Sequence, residues 1–502
     1  MPAPLSFPFD NTYARDLPGF AVPWQPAAAP APRLLHFNPS LARELGLPLA
    51  DATPDDLAAL FSGNTLPEGA SPIAQAYAGH QFGQFSPQLG DGRALLLGEV
   101  IDGQGRRRDI AFKGSGPTPF SRRGDGKAAV GPMLREVLIG EAMHALGIPT
   151  TRALAVVATG EQVRRERPLP GAILTRVADS HLRVGTFEFF AAHAGPDQVR
   201  RLADYAIARH YPELAGADNP YLELLRAVAA RQSSLVAQWM AVGFIHGVMN
   251  TDNMSIAGET IDYGPCAFME AYDPATVFSA IDRQGRYAYH HQPDIAAWNL
   301  ARFAETLLPL IDDNTERAVA RATASIQVFS ERYRQHWLKE MGAKLGLPPL
   351  TEADAALAED WLELLQAQSV DFTLAWRYLG EAAAGEEGRL SSLFADGAAL
   401  DAWLQRWRQH CAAADRAGDE AGASGTTRAT RTAAMAQTNP WLMPRNHQVE
   451  AALDAAEQGD LTPFHRLLGA LAEPCREQPR YADLAEPAPR EFMRTFQTFC
   501  GT

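Results

Sequence analysis

Cysteine is scarce in this chain of 502 residues: there are four, with no C-x-x-C pair and no zinc-like spacing. This argues against a structural metal site and a disulfide-rich scaffold, and it favours a reducing compartment. No run approaches the roughly 18 apolar residues that span a bilayer. The first residues also lack the basic and apolar regions of a secretory signal. We therefore expect a cytoplasmic protein with no membrane partner.

Positively charged residues are fewer than negatively charged ones: there are 45 Lys and Arg and 59 Asp and Glu, which gives a formal net charge of −14. Such a surface does not attract nucleic acid or anionic lipid over long range. The 46% apolar and 21% charged residues are ordinary for a packed globular protein. We expect a monomer that does not bind nucleic acid. Any site that binds an anion has to be formed by a local group of positively charged residues.

The pattern of predicted strands and helices changes along the chain, and there is no solenoid repeat. Residues 1–75 are rich in Pro and Ala and are interpreted as an N-terminal extension packed on the core. Residues 76–185 contain short alternating strands and one helix. Residues 186–330 are mostly helical, apart from two short strand-like pieces joined at Gly258-Glu259. The fold class is therefore predicted to be α+β, with a small sheet-rich lobe followed by a helical lobe.

Residues 331–502 continue as helices and are interpreted as a helical C-terminal extension that ends in a cysteine-containing tail. A Gly, Ala and Thr-rich stretch near 417–434 predicts a flexible connection within it. A further helix is expected over 447–459.

A glycine pair at Gly90-Asp91-Gly92 precedes a predicted strand. Glycine lets backbone N–H groups approach phosphates closely, although the same tripeptide is also an ordinary turn. In the next strand, Ile110 and Phe112 share one face, so Lys113 points the other way. We expect the ammonium group of Lys113 to face a cleft or solvent.

The helix after this strand has Pro132 in its first turn and stops at Gly147 and Pro149. Glu136 lies on a largely apolar face of it, where a carboxylate needs a partner. A strand lysine followed by a helix glutamate is the arrangement that kinases use to hold the lysine for nucleotide phosphates. The alternative is a surface glutamate and a solvated Lys113.

The segment His246–Asn253 resembles a kinase catalytic loop, in which Asn253 is positioned as a metal ligand. Nine residues later, Asp262-Tyr263-Gly264 stands where D-F-G supplies a second ligand. Val248 occupies the position of the usual catalytic aspartate. Asp252 is the one carboxylate in the loop and becomes the candidate general base. Each Asp or Asn alone is also compatible with a turn, but their order favours the kinase-like interpretation.

Positive charge is concentrated beside these motifs. Residues 106–127 contain seven Lys or Arg and two Asp, an excess of five positive charges. Such a run is ordinarily a solvated face, but Gly124-Asp125-Gly126 lies within it. Arg176 and Arg183 follow at the junction of the two lobes, and guanidinium groups suit bidentate phosphate binding.

Over long segments the chain resembles the selenoprotein O family, also called the YdiU family, of kinase-fold protein adenylyltransferases. The matching segments are YAGHQFGQFSPQLGDGRA (77–94), FKGSGPTPFSRRGDGKA (112–128), LREVLIGEAMHALGIPTTRAL (134–154), LTRVADSHLRVGTFEFF (174–190), HGVMNTDNMSIAGETIDYGPCAFMEAYDP (246–274) and NPWLMPRN (439–446). The resemblance implies a bilobal protein-kinase-like fold of the pseudokinase type that binds ATP in reversed orientation. It further implies transfer of AMP to Ser, Thr or Tyr hydroxyls of proteins with release of pyrophosphate. Whether UTP can replace ATP stays open.

The resemblance also assigns roles to residues. Nucleotide contacts are implied for Gly90, Gly92, Arg93, Lys113, Asp125, Gly126, Arg176, Arg183 and Asp262. Asp252 becomes the proton acceptor, while Asn253 and Asp262 hold Mg²⁺ or Mn²⁺. Glu136 is the structural ion-pair partner of Lys113.

Family members carry selenocysteine or cysteine third from the end, as Cys500 does here. They can join this residue by a disulfide to the segment after D-Y-G, where Cys266 is the one cysteine. The resemblance thus implies Cys500 and Cys266 as a candidate redox pair. The alternative is a free thiol on a frayed terminus.

Two other functions remain open at this point. A kinase that transfers the γ-phosphoryl group would use the same fold, but Val248 argues against it. A nucleotide-binding scaffold without activity is the second, and the intact set of base and metal-ligand candidates argues against that.

Overall fold

The computed structural model describes residues 6–420 and 428–499, and within them the protein is a mixed α/β structure with an antiparallel sheet and many helices. The strands are β1 (Ala21–Pro23), β2 (Arg33–Phe37), β3 (Ile73–Gln75), β4 (Gly79–Gln81), β5 (Gln84–Ser86), β6 (Ala94–Ile101), β7 (Arg107–Lys113), β8 (Ala128–Ala129), β9 (Arg152–Arg164), β10 (Pro168–Ala178), β11 (Phe244–Ile245) and β12 (Ala267–Phe268). The helices are α1 (Thr12–Asp16), α2 (Pro39–Glu44), α3 (Pro54–Phe61), α4 (Val130–Ala145), α5 (Val184–His193), α6 (Pro196–His210), α7 (Pro220–Val242), α8 (Gln292–Ile311), α9 (Thr315–Lys344), α10 (Ala355–Gln368), α11 (Phe372–Ala384), α12 (Gly388–Ser391), α13 (Gly397–Glu420), α14 (Arg428–Thr438), α15 (Asn446–Glu457), α16 (Thr462–Leu471), α17 (Ala482–Ala485) and α18 (Arg490–Thr495).

The main sheet has eight strands in the order β1-β3-β6-β7-β10-β9-β2, and β8 pairs with β10. The alternating patterns that predicted strands at 94–101 and 107–113 are confirmed by β6 and β7. Lys113 lies opposite Leu174 of β10. Because paired residues project from the same face and alternate residues share it, Arg176 points to the same side as Lys113.

Helix α4 packs on the sheet, and its predicted limits are confirmed. It spans Val130–Ala145, and Gly147 just beyond it has a φ of 76°, the left-handed conformation in which helices often end. Its apolar stripe, including Leu134 and Leu138, packs against Leu174 of β10 and against helices α15 and α16. The C-terminal helices therefore hold α4 on the sheet from outside.

The first 75 residues, expected to be packed on the core, also enter the sheet. They supply β1, β2 and β3, and helices α2 and α3 cover apolar residues such as Ile110 and Phe112 of β7. The alternation that directs Lys113 to one side of the sheet thus directs these apolar side chains into a second packed layer.

Helices α5 to α9 pack around the largest apolar cluster, beneath the loop His246–Asn253. The prediction of two strand-like pieces joined at Gly258-Glu259 is wrong. Ser255 pairs with Arg183 and Thr260 pairs with Thr150, each as an isolated bridge. The backbone groups of this segment find their partners far away along the chain, which local sequence patterns do not report.

The remaining described residues are mainly helical, and α15 confirms the helix expected over 447–459. A flexible connection was predicted near 417–434. The structure instead shows helix up to residue 420 and again over 428–438, and residues 421–427 lie outside the described residues. None of the helices in the described ranges is both long enough and apolar enough to cross a bilayer.

Candidate functional site

A cavity of about 370 Å³ opens where the sheet, helix α4 and the loop His246–Asn253 meet. It gathers nine of the predicted site residues, which come from segments distant in the sequence. They are Gly92, Arg93, Lys113, Glu136, Arg176, Arg183, Asp252, Asn253 and Asp262. Val248 lines the same cavity, at the position where a kinase carries its catalytic aspartate.

The predicted ion pair between Lys113 and Glu136 is present and buried. Lys113 Nζ also donates to Asp262 Oδ1 at 2.6 Å. Strand β7 brings the lysine from one side and helix α4 brings the glutamate from the other. The ammonium group is therefore fixed between two carboxylates at the wall of the cavity.

Arg176 and Arg183 complete a cluster of buried cations around Asp262. Arg176 Nη1 donates to Asp262 Oδ1 at 2.6 Å, and Arg183 Nη1 lies 3.5 Å from Oδ2. Burial alone would raise the pKa of Asp262, but attraction by Lys113, Arg176 and Arg183 prevails and holds it well below its ordinary value. Asp262 also has a φ of 65°, which is uncommon for a residue other than glycine and is typical of functional sites.

Arg183 links this cluster to the loop. Its Nη1 donates to the backbone oxygen of Asp252 at 2.9 Å, and its guanidinium carbon lies 4.5 Å from the centre of the Tyr77 ring. With Lys113 and Arg176 it presents three cationic side chains to the cavity, a suitable surface for a polyphosphate.

Asp252 lies in the short 3₁₀ turn Thr251–Asn253 and is buried. Burial raises its pKa to about 7, against the lowering influence of Arg183. Its Oδ1 has no hydrogen-bond partner among the described residues, while Gln81 Nε2 lies 3.5 Å from Oδ2. A carboxylate with a free oxygen and a pKa near neutrality suits proton transfer.

The loop Gly90-Asp91-Gly92 packs closely on Phe120. Gly90 has a φ of 76°, and a Cβ there would meet the Phe120 ring, while a Cβ on Gly92 would lie 3.0 Å from the Phe120 oxygen. Arg93 follows, and its Nη1 is buried without a hydrogen-bond partner. Gly92 and Arg93 line the cavity, whereas Gly90 does not.

Asp125 and Gly126 are not brought to the cavity wall. The Asp125 carboxylate pairs with Arg165 at 2.9 Å and accepts from the Lys127 backbone N–H at 2.9 Å. The Gly126 oxygen accepts from Gly116 N at 3.0 Å. Their assignment to the nucleotide stays a prediction.

The residues at the cavity fit a hard divalent cation such as Mg²⁺ or Mn²⁺. Asn253 Nδ2 donates to the Val248 oxygen at 2.9 Å, which leaves the amide oxygen available, and Asp262 adds carboxylate oxygens. Within 6–420 and 428–499, no three His, Cys, Asp or Glu side chains form a metal site by themselves. Magnesium commonly takes one or two protein ligands and completes its shell with phosphate and water oxygens.

Cys266 is buried, and its Sγ donates to the Tyr263 oxygen at 3.1 Å. Burial raises the pKa of its thiol to about 12. Thr498 Oγ1 donates to the oxygen of Pro265 at 2.6 Å, so Thr498 lies beside this segment. Cys500 lies outside the described residues, and the redox pair stays a prediction.

The hairpin of β4 and β5 was not singled out from the sequence, although it covers the loop. His80 N donates to Thr251 Oγ1 at 2.7 Å, and Phe82 N donates to Asn250 Oδ1 at 3.0 Å. The sequence feature that could have indicated this hairpin is the pair Phe82-Gly83. Their φ values of 51° and 82° form the tight turn that Xaa-Gly sequences favour. Gln81 and Phe82 line the cavity.

Comparison with known proteins places these features in one family. The family model "Protein adenylyltransferase SelO" matches residues 5–472. A relative from Cereibacter sphaeroides named "Protein nucleotidyltransferase YdiU" is 61% identical over 499 residues, which cover 99% of this chain and all of the relative.

Two further relatives carry the same name. The protein from Chromobacterium violaceum is 59% identical over 489 residues, or 97% of this chain and 100% of its own. The protein from Rhizobium leguminosarum bv. trifolii is 55% identical over 503 residues, or 100% of this chain and 98% of its own.

Proposed function

The chain belongs to the protein adenylyltransferase SelO family, and we propose that it transfers AMP from ATP to Ser, Thr or Tyr hydroxyls of proteins, releasing pyrophosphate. The observation that carries this proposal is the geometry around Asp252. Asp252 lines a cavity together with Lys113, Arg176 and Arg183, its buried Oδ1 has no hydrogen-bond partner among the described residues, and Val248 occupies the position of the kinase base. A reversed nucleotide would bring its α-phosphate to a base placed in this way.

In the proposed reaction, Asp252 takes the proton of the acceptor hydroxyl. The hydroxyl oxygen forms a bond to the α-phosphorus, and the bond from that phosphorus to the oxygen bridging to the β-phosphate breaks. Lys113, Arg176 and Arg183 bind the phosphates and stabilise the negative charge that develops on the pyrophosphate.

Asn253 and Asp262 would hold Mg²⁺ or Mn²⁺. When bound, the ion supplies positive charge next to the phosphates. The position of Asp262 between Lys113 and Arg176 keeps its carboxylate ionised and available for this role. Arg93, with an unpartnered buried Nη1, is a further candidate for a phosphate contact, and Asp125 and Gly126 would have to approach the nucleotide from their loop.

The same features support a kinase-like, bilobal arrangement, with lobes over 76–185 and 186–330 between an N-terminal and a C-terminal extension. The lysine–glutamate pair across β7 and α4, and the metal-ligand candidates of the following loop, are the elements that this arrangement needs.

Labelled ATP tests the proposal. The protein is incubated with Mg²⁺ or Mn²⁺ and ATP labelled on either the α- or the γ-phosphate, together with acceptor proteins, and covalently bound label is measured. Label from the α-phosphate is expected. Label from the γ-phosphate would instead indicate a kinase, and no label would indicate a nucleotide-binding scaffold. A parallel reaction with α-labelled UTP measures nucleotide preference.

A further inference from the structure

The β4–β5 hairpin lies next to the proposed proton acceptor, since Gln81 Nε2 is 3.5 Å from Asp252 Oδ2. The inner side is fixed to the loop by His80 N to Thr251 Oγ1 and by Phe82 N to Asn250 Oδ1. The side chain of Phe85, on the second strand of the hairpin, is 43% exposed. A polypeptide that brings a hydroxyl to Asp252 would therefore pass close to this hairpin.

The hairpin continues into a cluster of aromatic and cationic side chains that we call the acceptor rim. The acceptor rim consists of His80, Phe85, Arg286, Trp298 and Arg302. The His80 ring lies 5.0 Å from the Phe85 ring and 5.3 Å from the Trp298 ring. The guanidinium carbons of Arg286 and Arg302 lie 4.8 and 5.0 Å from the Trp298 ring centre.

One cation of the acceptor rim lacks an acidic partner. Arg286 forms no ion pair with a carboxylate of the described residues; it lies over the rings of Tyr287 and Trp298, and its Nε is buried without an acceptor. Arg302 pairs with Glu305 at 2.7 Å, but the Glu305 side chain is 53% exposed, so this pair contributes little.

Two carboxylates near the acceptor rim hydrogen-bond to other groups and form no ion pair with Arg286. Asp282 accepts from the backbone N–H groups of Arg286 and Tyr287 at 2.9 and 2.7 Å. Glu188 is buried and accepts from Thr251 Oγ1 at 2.6 Å while its other oxygen contacts His80 Nδ1. Arg286 Nε therefore keeps no acceptor among the described residues and is free to bind an anion that comes from outside.

The cations that bind the nucleotide form a separate group. Lys113, Arg176 and Arg183 are buried around Asp262 and line the cavity, whereas none of the acceptor-rim residues lines it. Ile281, which does line the cavity, is 53% exposed and offers an apolar contact.

We infer that the acceptor rim is the docking surface for the acceptor protein and that it selects segments with Asp or Glu close to the modified hydroxyl. A carboxylate of the acceptor would bind Arg286 and Arg302, while its apolar side chains would contact Phe85 and Ile281. This inference rests on the proposed function, because it names the acceptor of the same site.

The test uses two synthetic peptide sets that carry Ser, Thr and Tyr flanked either by Glu or by Lys. Binding to the full chain is measured by fluorescence anisotropy, and transfer is measured separately with α-labelled ATP. The wild type is expected to bind the Glu-flanked set at least roughly fivefold more tightly, the ratio for a surface ion pair of about 1 kcal/mol. Binding preference without transfer would refute the proposed function and leave the docking surface intact.

Charge reversal sharpens the test. Arg286→Glu should reverse the preference, Arg302→Glu should reduce it, and Arg286→Lys should retain it. Arg480→Glu is a matched control, because Arg480 also lies over an aromatic ring, 4.6 Å from Tyr481, but far along the chain in the C-terminal part. Equal binding of the two peptide sets by the wild type, binding of neither set, or an unchanged preference in both reversal variants would overturn the inference.

Discussion

Gly79 lies directly against the carboxylate of Asp252. A Cβ added to Gly79 would stand 3.0 Å from the Cβ and Cγ of Asp252 and closer still to Oδ1. The strand that carries Gly79 can therefore approach Asp252, the proposed proton acceptor, only because Gly79 has no side chain.

Gly79→Ala should thus displace the Asp252 carboxylate while leaving the nucleotide cavity intact. We expect kcat for AMP transfer to fall about 100-fold, the effect of a misplacement of about 1 Å in a reacting group. Nucleotide affinity should change little. Gly216→Ala is the control, because a Cβ there meets nothing within 4 Å. Normal turnover in Gly79→Ala would refute the placement of Asp252 at the reacting atoms.

Asp262 and Asp252, two of the four carboxylate residues that line the cavity, should differ in how removal of their charge changes the stability of the protein. Asp262→Asn removes the counter-charge of Lys113, Arg176 and Arg183, and we expect a loss of stability of about 3 kcal/mol or more together with loss of transfer. Denaturant unfolding and α-label incorporation measure the two effects.

Asp252→Asn should also abolish transfer, yet it should not destabilise the protein. Burial raises the pKa of Asp252 to about 7, so its ionised form costs stability at neutral pH and a neutral amide avoids that cost. Unfolding curves of the two variants at the same pH provide the comparison. Similar destabilisation of both variants would show that Asp252 is held by structural contacts instead.

Lys344 should make stability depend on pH. It is buried, its Nζ lies 4.8 Å from the Trp376 ring centre, and burial lowers its pKa to about 7. Between pH 7 and about 10, Lys344 is protonated in the unfolded chain but has lost its proton in the native protein. The free energy of unfolding therefore rises with pH over this range, by at most about 1.4 kcal/mol per pH unit from this group.

Lys344→Met should therefore stabilise the protein most at pH 7 and below, and the gain should shrink as the pH approaches 10. Denaturant midpoints at four pH values measure this difference. Lys339→Met, an exposed position on the same helix α9, should give a small and constant difference. A gain that does not vary with pH for Lys344→Met would contradict the shifted pKa.

Arg445 should be a major stabilising contact between the C-terminal helices and the rest of the protein. It is buried and donates to Glu270 Oε2 and Asp371 Oδ2, each at 2.7 Å. Arg445→Ala leaves two buried carboxylates without their partner, and we expect a cost of about 3–5 kcal/mol. Arg476→Ala, which breaks an exposed pair with Glu473, should cost less than about 1 kcal/mol in the same unfolding assay.

Cys266 should resist alkylation in the native, reduced protein, because it is buried and its pKa is raised to about 12. Among the described cysteines, Cys475 is only half-buried and should react with iodoacetamide before Cys266 and Cys411. Mass spectrometry of peptides after mild oxidation tests the redox pair. Free thiols at both Cys266 and Cys500 under those conditions would end that hypothesis.

Local patterns were sufficient for much of the fold. Alternation of apolar residues identified β6 and β7, and Pro132, Gly147 and Pro149 marked the ends of α4. These signals arise within a few residues of one another, so a single sequence contains them. They also indicated the faces on which Lys113 and Glu136 lie, whereas the pairing of the two was predicted from the kinase-like order of the motifs and from the family resemblance.

The sequence by itself determined which residue types were available for chemistry: a base candidate at Asp252, metal-ligand candidates at Asn253 and Asp262, and a local excess of positive charge. Tertiary structure alone decided which of these share a cavity, so that Arg176 and Arg183 face Asp262 while Asp125 pairs with Arg165. It also laid the β4–β5 hairpin over Asp252. Such contacts join segments far apart in the chain, and their geometry follows from how helices and sheet pack together rather than from any local pattern.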